Sequence, residues 1–306
     1  MTQYVLRRLL HSIVTLFGVS LVVFGILRVL PGDPARMMLP DGAPQSAVDE
    51  MSRQLGLREP LHVQYGLFLL SVVRGDFGES FQYRAAASAV VAERIMPTVH
   101  LSLAALALTV LFGVPAGILA AARRGTVLDY GGMALAALGQ SLPNFWLGIM
   151  LILLFGVALG WLPTSDYQGP AYLILPAITL AAFPTALVAR LTRSSMLEVL
   201  NKEYIRTARS KGLRDASVVI GHGVKNAAIP VVTILGLQIG VLLGGAVITE
   251  SVFSWPGIGK LVVDSIFRRD FPVVQTVLIL SATIFIAINF LVDLTYTVLD
   301  PRIKYS

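Results

Sequence analysis

The chain has 306 residues, 55% of them hydrophobic and 14% charged, with a formal net charge of +6 and no cysteine. An ordinary soluble domain carries about 25% charged residues, so a soluble fold of this size would leave apolar surface with no interior to hold it. That composition excludes disorder and a disulfide scaffold and disfavours a soluble enzyme; zero cysteines remove thiolate metal sites, iron–sulfur clusters and cysteine nucleophiles.

A membrane helix needs about 20 mostly apolar residues. Six stretches meet that length, at about 9–30, 98–122, 132–159, 172–189, 229–248 and 273–299. The first follows Arg7-Arg8 and runs into Pro31-Gly32-Asp33-Pro34. It is too long for the apolar core of a signal peptide and lacks a small-residue cleavage site, so it reads as an uncleaved helix. Residues 31–97 form an outer segment of mixed charge, long enough for a small helical subdomain. The second stretch carries Gly113 and Gly117 beside Pro115, a smooth face for close helix packing. In the third, Gln140, Ser141 and Asn144 surround Pro143, where a kink is predicted. The fourth is the weakest, because Pro176 and Pro184 interrupt it.

An inner segment follows at 190–228 and is strongly basic. The fifth stretch repeats glycine at 236, 240 and 244, with Gln238 on a different face. Residues 249–270 are apolar and turn-rich, and their Phe253, Trp255 and Pro256 predict an outer gate, a binding-protein dock or an interfacial anchor. The sixth stretch holds Asp293, the one clearly intramembrane charge, read as a structural, paired or interfacial group ahead of a proton relay, and Asn289, read as a packing group. The neutral polar groups Gln140, Asn144 and Gln238 are candidates for lining a translocation path; the alternative is interhelical packing.

Orientation follows from lysine and arginine. With the N-terminus inside, 14 of the 24 basic residues lie on the inner side and 12 of the 18 acids on the outer. The short flanks agree: Arg123-Arg124 follows the second stretch, and Arg302 and Lys304 follow the sixth. Both termini are therefore expected in the cytoplasm. The positive charge becomes a topology signal, which removes the nucleic-acid reading.

Catalytic signatures are missing. His11, His62, His100 and His222 are scattered, and no metal-ligand spacing or nucleophile elbow occurs. Gly257-Ile-Gly-Lys260 lacks the upstream glycine and the following Ser/Thr of a phosphate loop. The chain has a transporter's architecture and no energy source of its own.

The inner segment carries the most information. Residues 203–211 have a helical pattern, with Tyr204, Ala208 and Lys211 on one face, and Gly212 after a basic turn is a helix stop. A second amphipathic stretch at 216–224 leads into the fifth helix. Helix, glycine turn and helix make a compact knob for docking a cytoplasmic partner; a solvated basic loop near anionic lipid is the plainer reading. Ala208 and Gly212 would permit close approach, and Glu203 and Arg206 could fix orientation.

Glu203-Tyr-Ile-Arg-Thr-Ala-Arg-Ser-Lys-Gly-Leu213, followed by Lys225-Asn-Ala-Ala-Ile-Pro-Val-Val-Thr233, resembles the "EAA" loop of the dipeptide/oligopeptide ABC-importer permeases. The resemblance runs through Leu30-Pro-Gly-Asp-Pro34, Leu55-Gly-Leu57, Gly75-Asp-Phe-Gly78, Arg190-Leu-Thr-Arg-Ser-Ser-Met196, Thr249-Glu-Ser-Val-Phe-Ser-Trp-Pro-Gly-Ile-Gly259, Leu291-Val-Asp-Leu294 and Asp300-Pro-Arg-Ile303. Together, in order, these motifs point to the B-type subunit. Arg206-Thr207-Ala208 stands in place of EAA, a departure shared with the peptide branch.

The resemblance implies an all-α integral membrane protein with six transmembrane helices and the type I ABC importer (MetI-like) permease fold. It would sit in the bacterial inner membrane: residues 1–30 the N-terminus and first helix, 31–97 extracytoplasmic, 98–306 the core, with a coupling loop at 190–228. Expected partners are a homologous C-type permease, two ABC ATPases that bind ATP and Mg, an extracytoplasmic binding protein and membrane lipid, with no nucleic acid. The chain itself would be a transport subunit, with no enzymatic activity and no cofactor or metal of its own. The ATPase-coupling residues would be Glu203, Tyr204, Arg206, Ala208, Lys211, Gly212 and Leu213. The family handles dipeptides, longer peptides, glutathione, opines, nickel complexes and some oligosaccharides. The alternative, an ion-coupled secondary transporter, would need intramembrane charges and commonly shows inverted repeats, and neither is visible.

The charge asymmetry generates a test. A cysteine introduced at Ser46 is expected to react with an impermeant maleimide in intact spheroplasts, and one at Ser210 only after lysis; the opposite labelling pattern reverses the topology.

Overall fold

The computed structural model of the chain describes residues 2–29, 34–40 and 42–299. The motif residues 30–33 and 300–303, together with Lys304, lie outside the described residues, as does the side chain of Asp293. Among the described residues the fold is helical, and the one β feature is an isolated bridge between Glu79 and Ala86.

In chain order the helices are α1 (Thr2–Val29), α2 (Pro34–Met37), α3 (Gln45–Gln54), α4 (Leu61–Arg74), α5 (Ala87–Leu108), α6 (Val114–Ala122), α7 (Val127–Ser141), α8 (Asn144–Leu151), α9 (Pro170–Leu200), α10 (Glu203–Ser210), α11 (Asp215–Ser217), α12 (Lys225–Gly245), α13 (Val247–Val252), α14 (Ile258–Phe267) and α15 (Phe271–Leu299). Three π-helical stretches continue them: Thr109–Gly113 joins α5 to α6, Ile152–Ala158 extends α8, and Val218–Val224 joins α11 to α12. Among the described residues, five spans are long and apolar enough to cross a membrane: Leu6–Ile26, Ala87–Ala122, Pro170–Leu200, Asp215–Leu243 and Phe271–Val292. Such segments suit lipid because a helix satisfies its own backbone polar groups.

Three sequence expectations change. The third stretch is two helices, Val127–Ser141 and Asn144–Ala158, bent by 103°, and counts as a sixth span only if the pair is taken as one. The cause is local: Leu142 adopts an extended conformation ahead of Pro143, a residue pair that disfavours helix. The fourth stretch, expected to be the weakest, forms the 31-residue α9, with Pro176 and Pro184 buried inside it. Packing against neighbouring helices outweighs the proline penalty, and α9 absorbs residues 190–200 that the sequence places in the inner loop. The second span begins at Ala87, with Pro97 inside the helix, and so takes residues from the expected outer segment.

The chain divides into two compact units, Met1–Met96 with Gly257–Ile286, and Pro97–Pro256 with Ala287–Ser306. In the first, Val23, Phe68 and Ile279 form one core, and the Tyr65 ring meets Phe24 edge-on at 5.3 Å. A second core joins Ala87, Val90 and Val91 to Ile258, Leu261, Val273 and Val277. Fully buried Asp270 accepts hydrogen bonds from Ser80 Oγ at 2.5 Å and from the N–H groups of Phe81 and Gln82 at 3.2 Å.

The second unit is built around α9. Leu101 and Ala105 of α5 pack on Ala177, Leu180 and Ala181 of α9, with Leu242, Ala246 and Trp255 completing the cluster. The small-residue face expected in the second stretch is real: a Cβ at Gly117 would stand 2.5 Å from both Ala189 O and Thr192 Cβ, and one at Gly113 would stand 2.9 Å from Thr185 O. Gly236 fits similarly, 3.0 Å from Val292.

Overpacking a filled interior typically costs about 1–3 kcal/mol. Gly117→Ala is therefore expected to lower the melting temperature of the detergent-solubilised protein, because the obstructing atoms include backbone. Gly131→Ala, where no atom lies within 4 Å and alanine is the better helix former, is expected to hold or slightly raise it. Equal melting curves for the two variants would contradict the α6–α9 packing.

Candidate functional site

The inner segment folds as the knob its pattern suggests, and α10 is its centre. Lys202 ahead of it is extended, Glu203 places an acid in the first turn, and Arg209 places a base in the last, both favourable to the helix dipole. Gly212 ends the element with φ +79°, in the left-handed region that favours glycine. The N–H groups of Lys211 and Gly212 return to the carbonyls of Thr207 and Arg209. Arg209 Nε donates to Asp215 Oδ1 at 3.0 Å across the turn.

One side of α10 is anchored. Ile205 and Ala208 are buried and pack with Val218 and Leu200. Ala208 therefore makes its close approach to this chain's own core, and the expectation that it opens onto a partner groove is corrected. The other side is free. Glu203, Arg206, Lys211 and Gly212 are exposed, and Tyr204 and Leu213 stay 44% and 46% exposed. An exposed aromatic and an exposed leucine among basic side chains make a surface suited to a partner with an apolar groove and an acidic rim.

Below the knob is an ion pair that the sequence did not single out. Arg193 of α9 donates from Nε to Asp129 Oδ1 at 2.5 Å and from Nη2 to Oδ2 at 2.9 Å. The Gly125 N–H adds a third bond to Oδ2 at 3.0 Å, and Asp129 is 1% exposed. An acid just after Arg123-Arg124 was the available signal.

The expected path residues are dispersed. Gln140 and Asn144 are half-buried and flank the break at Leu142-Pro143, while Gln238 is buried in α12. None of the three lines the 530 Å³ cavity of the first unit, whose walls include Phe24, Arg28, Gln64 and Phe271.

The outer-gate residues are internal. Phe253 and Trp255 are 1% and 0% exposed, and Pro256 is half-buried. Phe253 lies over Gly148, and Asp166 N–H donates to its carbonyl at 3.1 Å. Gln168 Nε2 and the Tyr167 N–H hold the Asp166 carboxyl below its usual range. The Trp255 ring meets Tyr167 at 4.3 Å, tilted by 37°, and donates from Nε1 to Pro97 O at 2.9 Å. Nearby, Thr98 Oγ1 donates to buried Glu250 at 2.7 Å. Neither aromatic side chain offers an exposed face to a binding protein or to the membrane interface.

Residues 113–305 match the family described as binding-protein-dependent transport system inner membrane component, and residues 1–104 match the N-terminal region described for the same membrane components. The chain belongs to that family and is the permease subunit of an ABC importer. It is 46% identical over 306 residues to the glutathione transport system permease protein GsiC of Salmonella choleraesuis (strain SC-B67), and 45% identical to that of Escherichia coli (strain K12), with all of each chain covered. Its fold is similar to that of the MetNI methionine ABC transporter in an inward-facing conformation, with a TM-score of 0.59 and 20% identity over 69% of this chain and 96% of the other. An amino acid ABC transporter crystallised with histidines gives a TM-score of 0.56 at 17% identity, over 69% and 94%. Nothing among these relatives supports the ion-coupled alternative.

The burial of Trp255 generates a prediction. Truncating a core aromatic costs about 3–5 kcal/mol, while losing one hydrogen bond costs about 1 kcal/mol. Trp255→Ala is expected to reduce the folded yield of the purified protein, and Trp255→Phe to lower the melting temperature only modestly. Full folded yield for the alanine variant would show that the side chain is not a core element.

Proposed function

We propose that this chain is the B-type half of a heteromeric importer for glutathione-class peptides, paired with a C-type permease and supplied by an extracytoplasmic binding protein. Two ATPases, holding ATP and Mg, drive it from the cytoplasmic side, where both termini lie. The observation that carries the energy-coupling part is α10, whose exposed Tyr204, Arg206, Lys211 and Leu213 surround a helix end fixed by Gly212 at φ +79°. Ile205 and Val218 hold that surface rigid from below. The cargo reading rests on full-length similarity to permeases named for glutathione transport. Gln140, Asn144 and Gln238 suit such a cargo, because neutral amides can hydrogen-bond a peptide backbone without selecting side-chain charge. Phe253 and Trp255 serve the outer segment as its interior support.

Gly212 provides the test. A left-handed backbone costs an L-residue about 1–2 kcal/mol, least for Asn and most for a β-branched side chain. No atom of this chain lies within 4 Å of a Cβ at Gly212, so a substitution meets backbone strain and the partner alone. Gly212→Val is expected to abolish glutathione uptake in the reconstituted transporter while membrane insertion and permease pairing persist. Gly212→Asn is expected to retain part of it. Glu203→Ala is expected to be milder, since an exposed ionic contact usually contributes about 1 kcal/mol or less. Normal ATPase capture and normal uptake by the valine variant would refute α10 as the docking helix.

A further inference from the structure

We propose that Asp129 and Arg193 form a strut that makes the inner end of α7 follow α9, so that movement of the docking helix reaches the break at Leu142-Pro143. Two parallel hydrogen bonds, at 2.5 and 2.9 Å, fix the guanidinium and carboxylate planes against each other, where a single contact would let them swivel. The Gly125 N–H holds the carboxylate from its far side. Asp129 is almost fully buried, and the Arg193 side chain is 28% exposed. A buried ion pair is no better than apolar packing for stability, so directional geometry is what this one supplies.

Both ends of the strut continue into functional elements. From Arg193, α9 runs unbroken to Met196, which packs with Ala121 and Val219, and to Leu200, which packs on Ile205 and Val218. From Asp129, α7 runs unbroken to Gln140 and Ser141 at the break. Helices are stiff over such lengths, and the pair supplies a direct polar joint between them. A displacement received at α10 is thereby delivered to the amides flanking Pro143. This inference rests on the docking role of α10, which the Gly212 variants read separately.

The test uses the complete transporter, with both permeases, the ATPases and the binding protein, in proteoliposomes with labelled glutathione as probe. Uptake and ATP hydrolysis are normalised to assembled complex. Asp129→Asn is expected to lower uptake about tenfold per complex while hydrolysis stays within about twofold, a loss of coupling distinct from a loss of protein. Arg193→Lys, which keeps the charge without the fork, is expected to fall between. Because the chain has no cysteine, spin labels at Tyr130→Cys and Arg190→Cys report the distance between α7 and α9 beside the strut in the otherwise native chain. That distance is expected to be the same in nucleotide-free and vanadate-trapped states, and to broaden in Asp129→Asn. Unchanged uptake per ATP in both single variants, or a change of several ångströms between states in the native pair, would overturn the proposal. If Asp129→Asn does not assemble, the native spin-label distance decides it alone.

Discussion

The second unit depends on how closely α6 can lie against α9. At Gly117 the space that a Cβ would take is already held by Ala189 O and Thr192 Cβ, each 2.5 Å away. Lipid tails give no hydrophobic drive for helix association, so helices in a membrane gain cohesion from close van der Waals contact, and small residues permit it. That contact sets the position of α9, and α9 sets the rest. Its N-terminal part organises the Leu101, Leu242 and Trp255 core, and its C-terminal part carries Arg193, Met196 and Leu200 in succession.

The segment around α10 combines a buried frame with an exposed tip. Ile205 and Val218 are 0% exposed, while Tyr204 and Leu213, neighbours in sequence to buried or turn residues, stay open. The docking role proposed for α10 needs both properties: the tip must be available to a partner, and it must not yield when pushed. On the other side of the unit, the Phe253 and Trp255 segment is enclosed, with its polar atoms matched within the chain at Pro97 and Asp166.

Sequence alone makes the spans legible because a bilayer demands length and apolarity, and both can be counted. It makes α10 legible because Gly212 follows a basic helical turn. Other features depend on matters that a linear reading weighs poorly. Hydropathy runs unbroken through 132–159, so one proline cannot distinguish a kink from a 103° break. The π-helical stretches change no residue's polarity and leave no mark. Pro176 and Pro184 suggest interruption only when a helix is judged in isolation. Asp129 and Arg193 stand 64 residues apart, so only the fold pairs them. Phe253 and Trp255 look exposed because turn-rich segments usually are, yet Gly148 and Tyr167 supply their covering. The small size of Ala208 suggests room for a partner, whereas the chain's own Val218 uses that room.

The break after Ser141 sets a boundary condition on the assembled transporter. The 15 residues of α7 rise about 22 Å at 1.5 Å per residue, short of the roughly 30 Å of a bilayer's hydrocarbon. A helix of that length starting at either face of the membrane thus turns while still at hydrocarbon depth. Its last carbonyls lose their partners in the next turn, and the Leu142 N–H, donating to Leu138 O at 3.1 Å, answers for one of them. Acyl chains cannot answer for the others, and irregular backbone at that depth is stable only against protein or water. Ser141, Pro143, Phe145 and Trp146 are exposed on the single chain. The solvent at this corner must therefore be polar, whether a neighbouring subunit or a hydrated passage, and the corner marks where the lipid annulus ends.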